Sequence, residues 1–233
     1  MTENLKVRFR KEKEGPESEL VNHFLNYYKT VFKDENLSYC ILTEVYAEIG
    51  IPDILIIAWD SNIKERWIPE RNNLNRQDIK ILHHIFSTGR RGVKLDKIGE
   101  KLGYKPIDIS NSIRRLSDAD TVVLEDNFVR IKDKENTFFV KKIISIEAKI
   151  KNWKQAVNQA EINENFASHS YVLMPHDSVN ENMLSSVKGN IGVLAHTGDK
   201  AKFKRKAKKT KLPGSYFSWV LNEYIGRKEF ALT

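Results

Sequence analysis

Glu147 and Lys149 stand two residues apart in "IISIEAKI", a run otherwise rich in isoleucine. Alternate residues of a strand point the same way, so both charges are expected on one face with Ala148 on the other. A strand of this kind wants to be interior, where an unpaired carboxylate or ammonium is costly. Asp53 opens a second apolar run, "PDILIIAW", and if the two strands are neighbours Asp53 approaches Glu147. Neighbouring carboxylates repel unless a cation lies between them. A hard, oxygen-liganding ion such as Mg²⁺ resolves that repulsion and fills its octahedron with water and phosphate oxygens. Lys149 alongside can hold an attacking water or stabilise charge developing on a phosphate. Together these are the parts that metal-assisted phosphodiester hydrolysis needs. The bland alternative is an ordinary strand ion pair, with Asp53 capping a turn, and Glu-x-Lys taken alone favours it. "DIK" at 78–80 repeats the spacing on a helical pattern, where i and i+2 do not share a face.

The elements around these residues follow from periodicity. Leu20, Phe24, Tyr27, Tyr28 and Val31 recur at helical spacing behind Pro16, which predicts an amphipathic helix over 17–33. Two strands follow, "LSYCILTEVYAEIG" and "PDILIIAW", joined at Gly50. The second is nearly continuously apolar, as a strand buried on both faces should be. From Asn75 to about Lys132 the pattern changes to three short helices and a hairpin. Asn75 caps "RQDIKILHHIFSTG", Gly103 ends "KLDKIGEKLG", and a third helix lies in "KPIDISNSIRRLSDAD". "TVVLEDNFVRIKD" then turns through Asp126 and Asn127. Strand, helix, strand, helix, strand resumes from "FFVKKIISIEAKI" to "IGVLAHT", and "GSYFSWVLNEYIG" reads as a last helix. The fold class is α/β, a parallel or mixed sheet covered by helices. The sheet domain is expected at 1–71 and 134–233, interrupted by an insert at 72–133.

Composition narrows the class. The chain has 233 residues, 40% hydrophobic and 30% charged, which is globular rather than disordered. No apolar run approaches the roughly 20 residues of a membrane span. The N-terminal stretch lacks the apolar segment of a secretory signal, so a cytoplasmic location without a membrane partner is expected. Cys40 is the single cysteine and cannot form an internal disulfide. The net charge is +8, and residues 200–211, "KAKFKRKAKKTK", hold all of the excess. That block reads as a phosphate-binding arm or lip; a solvated loop that keeps the protein soluble weighs about evenly against it.

"GIPDILIIAW" followed by "IISIEAKIKNWKQAVNQA" resembles the PD-(D/E)xK nuclease superfamily, whose fold is a mixed sheet flanked by helices. The resemblance covers roughly 15–60 and 138–197. It implies Asp53, Glu147 and Lys149 as the catalytic motif, with Asp53, Glu147 and the Ala148 carbonyl binding Mg²⁺ or Mn²⁺. Gln159 matches the glutamine that faces the metal in several prokaryotic branches. "GPESE" at 15–19 is similar to the opening of the first helix in the resolvase-like branch, which would make Glu19 an auxiliary acid; Glu44 competes for that role. Many relatives carry an aromatic or basic residue shortly after the glutamine, where this chain has "EINEN". The insert resembles a winged helix-turn-helix, whose third helix would offer Lys105, Ser110, Asn111, Arg114 and Arg115 to DNA; a module for protein contact, or a spacer, is the alternative, since Asp108, Asp118 and Asp120 flank or lie within that helix. Lys204, Arg205, Lys206, Lys208 and Lys209 of the basic run are further DNA-binding candidates. The expected activity is a metal-dependent endodeoxyribonuclease acting on double-stranded DNA, and cutting two strands with one site per chain favours a homodimer. A DNA-binding regulator on an inactive nuclease-like scaffold is the alternative.

Overall fold

The computed structural model describes residues 5–11, 14–28, 36–198 and 200–231. The chain forms two compact units: Val7–Asp60 with Val140–Gly214, and Ser61–Phe139 with Met1–Lys6 and the C-terminal segment from Ser215. The second unit thus begins at Ser61 rather than residue 72, closes at Phe139 rather than residue 133, and takes the C-terminal helix with it.

The first unit is built on a six-stranded mixed sheet. Its strands are β1 (Leu37–Thr43), β2 (Ile54–Asp60), β6 (Val140–Ala148), β7 (His169–Pro175), β8 (Gly192–Thr197) and β9 (Lys200–Arg205), in that spatial order. The β6–β7 and β7–β8 pairs are parallel and the others antiparallel. Helix α1 (Pro16–Tyr27) lays Leu20 and Phe24 on one face, against Ile54, Ile56, Ile144, Ile146 and Leu173. Of the expected helix, residues 29–33 with Val31 lie outside the described residues. The other face is covered by α5 (Trp153–Asn163) and α6 (Glu181–Ser186), whose Ala156, Val157, Ala160 and Met183 meet Val172, Met174 and Val193. Burial on both sides explains why β2 carries almost unbroken apolar sequence.

The basic run departs from the sequence reading. Its first half is an edge strand, not an arm or loop. Ala201 and Phe203 pack into the α1-side core while Lys200, Lys202 and Lys204 stay exposed. Lysine along an edge also discourages pairing with foreign strands.

In the second unit, α2 (Arg76–Ser87) starts with a capping box between Asn75 and Asp78, and α3 (Leu95–Leu102) ends on left-handed Gly103. Helix α4 (Pro106–Asp118) is followed by the hairpin β4 (Val122–Glu125) and β5 (Phe128–Ile131). Asp126 and Asn127 turn it with positive φ, as a tight hairpin requires, and β5 also pairs with the short β3 (Val93–Lys94). Trp219 of α7 (Tyr216–Ala231) packs edge-on to Phe86 and Phe138. Arg71 is fully buried against the Trp67 and Phe139 rings and ion-paired to buried Glu223. That shared core is why the unit extends past the expected insert. Among the described residues no helix is long and apolar enough to cross a membrane.

Removing one partner of a buried pair leaves the other charge uncompensated. Arg71→Met is therefore expected to lower unfolding free energy by about 3–5 kcal/mol in denaturant titration. Adding Glu223→Leu should recover much of the loss.

Candidate active site

The antiparallel register of β2 on β6 pairs Ile54 with Ile146, so the next step along brings Asp53 beside Glu147. Asp53 Oδ2 accepts a 2.8 Å hydrogen bond from the Ala148 N–H, and Oδ1 lies 4.0 Å from the Arg10 guanidinium. Glu147 is 1% exposed. Its Oε1 accepts from Asn163 Nδ2 at 2.7 Å, and its Oε2 has no hydrogen-bond partner. Each acid therefore has one oxygen held by a fixed N–H.

Lys149 lies just past the end of β6. Its ammonium donates to Glu17 Oε2 on α1 at 2.9 Å and to the Ala148 carbonyl at 3.2 Å. The expected common face of Glu147 and Lys149 is thus corrected. Glu147 turns toward α5 and Lys149 reaches α1, because the strand ends between them. Both remain electrostatically coupled to each other and to Asp53. A cleft of 1090 Å³ opens here, lined among others by Glu17, Glu19, Asp53, Lys149, Gln155 and Gln159.

Burial is the main force on both acids. It raises Asp53, against the Ala148 N–H and Lys149, which favour the ionised form. Burial, and next the charge of Asp53, push Glu147 up to about 8, against Asn163 and Lys149. Glu147 is the better sealed of the two and holds its proton at neutral pH in the absence of a cation.

Among the described residues no three of His, Cys, Asp and Glu gather as a ready metal shell. The donor set is smaller: two carboxylates and the Ala148 carbonyl, all hard oxygen. A buried carboxylate oxygen without a partner, beside a second acid, fits a divalent cation that keeps most of its ligands as water or phosphate.

Both candidate auxiliary acids, Glu19 and Glu44, line the cleft, and Glu44 is also ion-paired to Arg10. The acid that touches Lys149 is Glu17. Gln159 also lines the cleft, and its buried Oε1 lacks a partner. Sequence reasoning missed Arg10, Glu17 and Asn163. Only Asn163 carried a signal: it continues the four-residue spacing of Gln155 and Gln159 along α5.

No family model matches the chain, and no curated protein matches it. A solved protein of unknown function from Silicibacter pomeroyi is similar at 15% identity over 39% of this chain, with a TM-score of 0.29. The match spans 60% of that protein's length and is too remote to carry an argument.

Elsewhere, Lys105, Ser110 and Arg114 of the second unit are exposed and Asn111 is half-buried. Arg115 is already committed: its guanidinium grips buried Asp78 through bonds of 2.8 and 2.7 Å. Lys204, Lys206, Lys208 and Lys209 are exposed, whereas Arg205 donates to the Val187 and Gly189 carbonyls and ties β9 to the α6–β8 loop.

A carboxyl whose pKa is raised by folding stabilises the native state fully below its ordinary value of 4.5 and loses that contribution as pH rises toward about 8. In chelator-treated protein, Glu147→Gln should remove this loss. Thermal melts of the two proteins should separate across that window, the variant becoming the more stable one at the alkaline end. Curves that stay parallel would mean that Glu147 is not held as described.

Proposed function

We propose that this chain is a Mg²⁺- or Mn²⁺-dependent deoxyribonuclease of the PD-(D/E)xK type that hydrolyses DNA phosphodiester bonds. The observation that carries the reading is the buried Glu147 carboxyl, with an unpartnered oxygen, set beside Asp53, which itself lines the cleft. Even as a neutral carboxyl, a buried group with an unsatisfied oxygen carries a desolvation cost of ~1–3 kcal/mol, and a second acid beside it disfavours ionisation until a cation is bound. A scaffold without a cation to bind gains nothing from that arrangement.

Asp53, Glu147 and the Ala148 carbonyl would hold the ion, which when bound polarises a phosphate and makes its water more acidic. Lys149 keeps its ammonium at the cleft through the Ala148 carbonyl and Glu17. There it holds a water by hydrogen bonding and stabilises negative charge as it grows on the phosphate. Gln159 offers a neutral amide that can orient water or phosphate oxygen without adding repulsion. The cleft walls bring the backbone of a nucleic acid to these groups.

DNA attraction is supported by the exposed lysines at 204, 206, 208 and 209. The second unit supports it too, since helix, short strand, two helices and a hairpin follow one another in the order of a winged helix. In that reading Lys105, Ser110, Asn111 and Arg114 face DNA.

Lys149→Ala should lower Mg²⁺-dependent cleavage of a duplex by at least about 100-fold, with duplex affinity within a few-fold of the parent. Parallel assays on RNA and on branched DNA fix the substrate. A folded parent chain that binds duplex but cleaves nothing with either metal is the result expected of a regulatory scaffold. Replacing Lys204, Lys206 and Lys208 by Ala should reduce the slope of log affinity against log salt by about 2–3, a change read by binding titrations at several salt concentrations.

A further inference from the structure

Resting on the metal-dependent reading above, we infer that Asn163 is a positioning residue of the centre: by occupying Glu147 Oε1 it leaves Oε2 as the single oxygen that the carboxylate offers to a cation. Asn163 lies on the last turn of α5, one turn beyond Gln159, and is buried. Its own backbone is fixed, because the Phe166 and Ala167 N–H groups donate to its carbonyl at 3.2 and 2.9 Å. The Nδ2–Oε1 bond of 2.7 Å therefore joins two groups that cannot swing out to solvent. A buried glutamate without this bond could rotate or present both oxygens together.

The residue type suits the task. An amide donates without carrying charge. Lysine or arginine at 163 would neutralise Glu147 and compete with a bound cation. Aspartate or glutamate would set a further carboxylate against it. Asp53 is managed the same way by a different donor, the Ala148 N–H. One acid is thus aligned by backbone and the other by a side chain, and only the second can be altered by substitution. The "EINEN" segment contains the residue that takes up this role.

The test uses the full chain and Mn²⁺ alone, with affinity read by titration calorimetry and by electron paramagnetic resonance of free Mn²⁺. Asn163→Ala and the volume-matched Asn163→Leu are each compared with the parent, with Glu147→Gln, and with the double variants. The expected result is Mn²⁺ affinity lower by about 10–100-fold in a variant that is folded by circular dichroism. Combining either change with Glu147→Gln should add nothing further, which a merely structural role would not produce. Affinity within twofold of the parent, an additive loss in the double variant, or failure of both single variants to fold would each overturn the assignment. A parent chain that binds no Mn²⁺ through Asp53 and Glu147 would instead overturn the metal-dependent reading itself, and this inference with it.

Discussion

The candidate site depends on one constraint: two carboxylates from distant parts of the chain held together where β2 begins and β6 ends, one of them sealed from water. The antiparallel register brings them together. Moving β2 by one residue would turn Asp53 to the opposite face and exchange the side chains that each core receives. The apolar packing on each face of the sheet thus fixes register, and register fixes the pair. Helices then supply what the strands cannot. Helix α1 contributes Glu17 to hold Lys149, and α5 contributes Asn163 to hold Glu147.

Charge is distributed to match. Along α5 the side chains nearest the cleft and the buried acid are neutral amides, grading from exposed Gln155 through half-buried Gln159 to buried Asn163. Neutral donors there avoid both repelling an anion and quenching the acids. The positive charge collects instead on β9 at the sheet edge, where water solvates it. The same lysines can attract phosphate and protect an open edge.

Much of this framework was legible in the residues. "PDILIIAW" and "IISIEA" announce central strands because burial on two faces removes polar alternation. Asn75, Gly103 and the Asp126–Asn127 turn mark boundaries through backbone chemistry that few other residues satisfy. The partners of the key charges were not legible, because Glu17 is 132 and Asp53 95 residues from the groups they bond. Charge also concealed a strand. In "KAKFKRKAKK" the alternation of Ala and Phe with Lys was present, but the density of lysine read as a solvated arm. Arg115 looked available to DNA because its partner, Asp78, lies on a different helix. The final helix gave no sign of its destination, since Arg71 and Glu223 find each other only after folding.

The claim most exposed to measurement is that Asp53 and Glu147 share one cation. Crystals of the full chain soaked in Mn²⁺, with data collected at the manganese absorption edge, address it directly. The account predicts one anomalous peak at the Asp53 and Glu147 carboxylates that is lost in Glu147→Gln. Saturating Mn²⁺ with no peak there, in crystals where the two side chains are ordered, would contradict it.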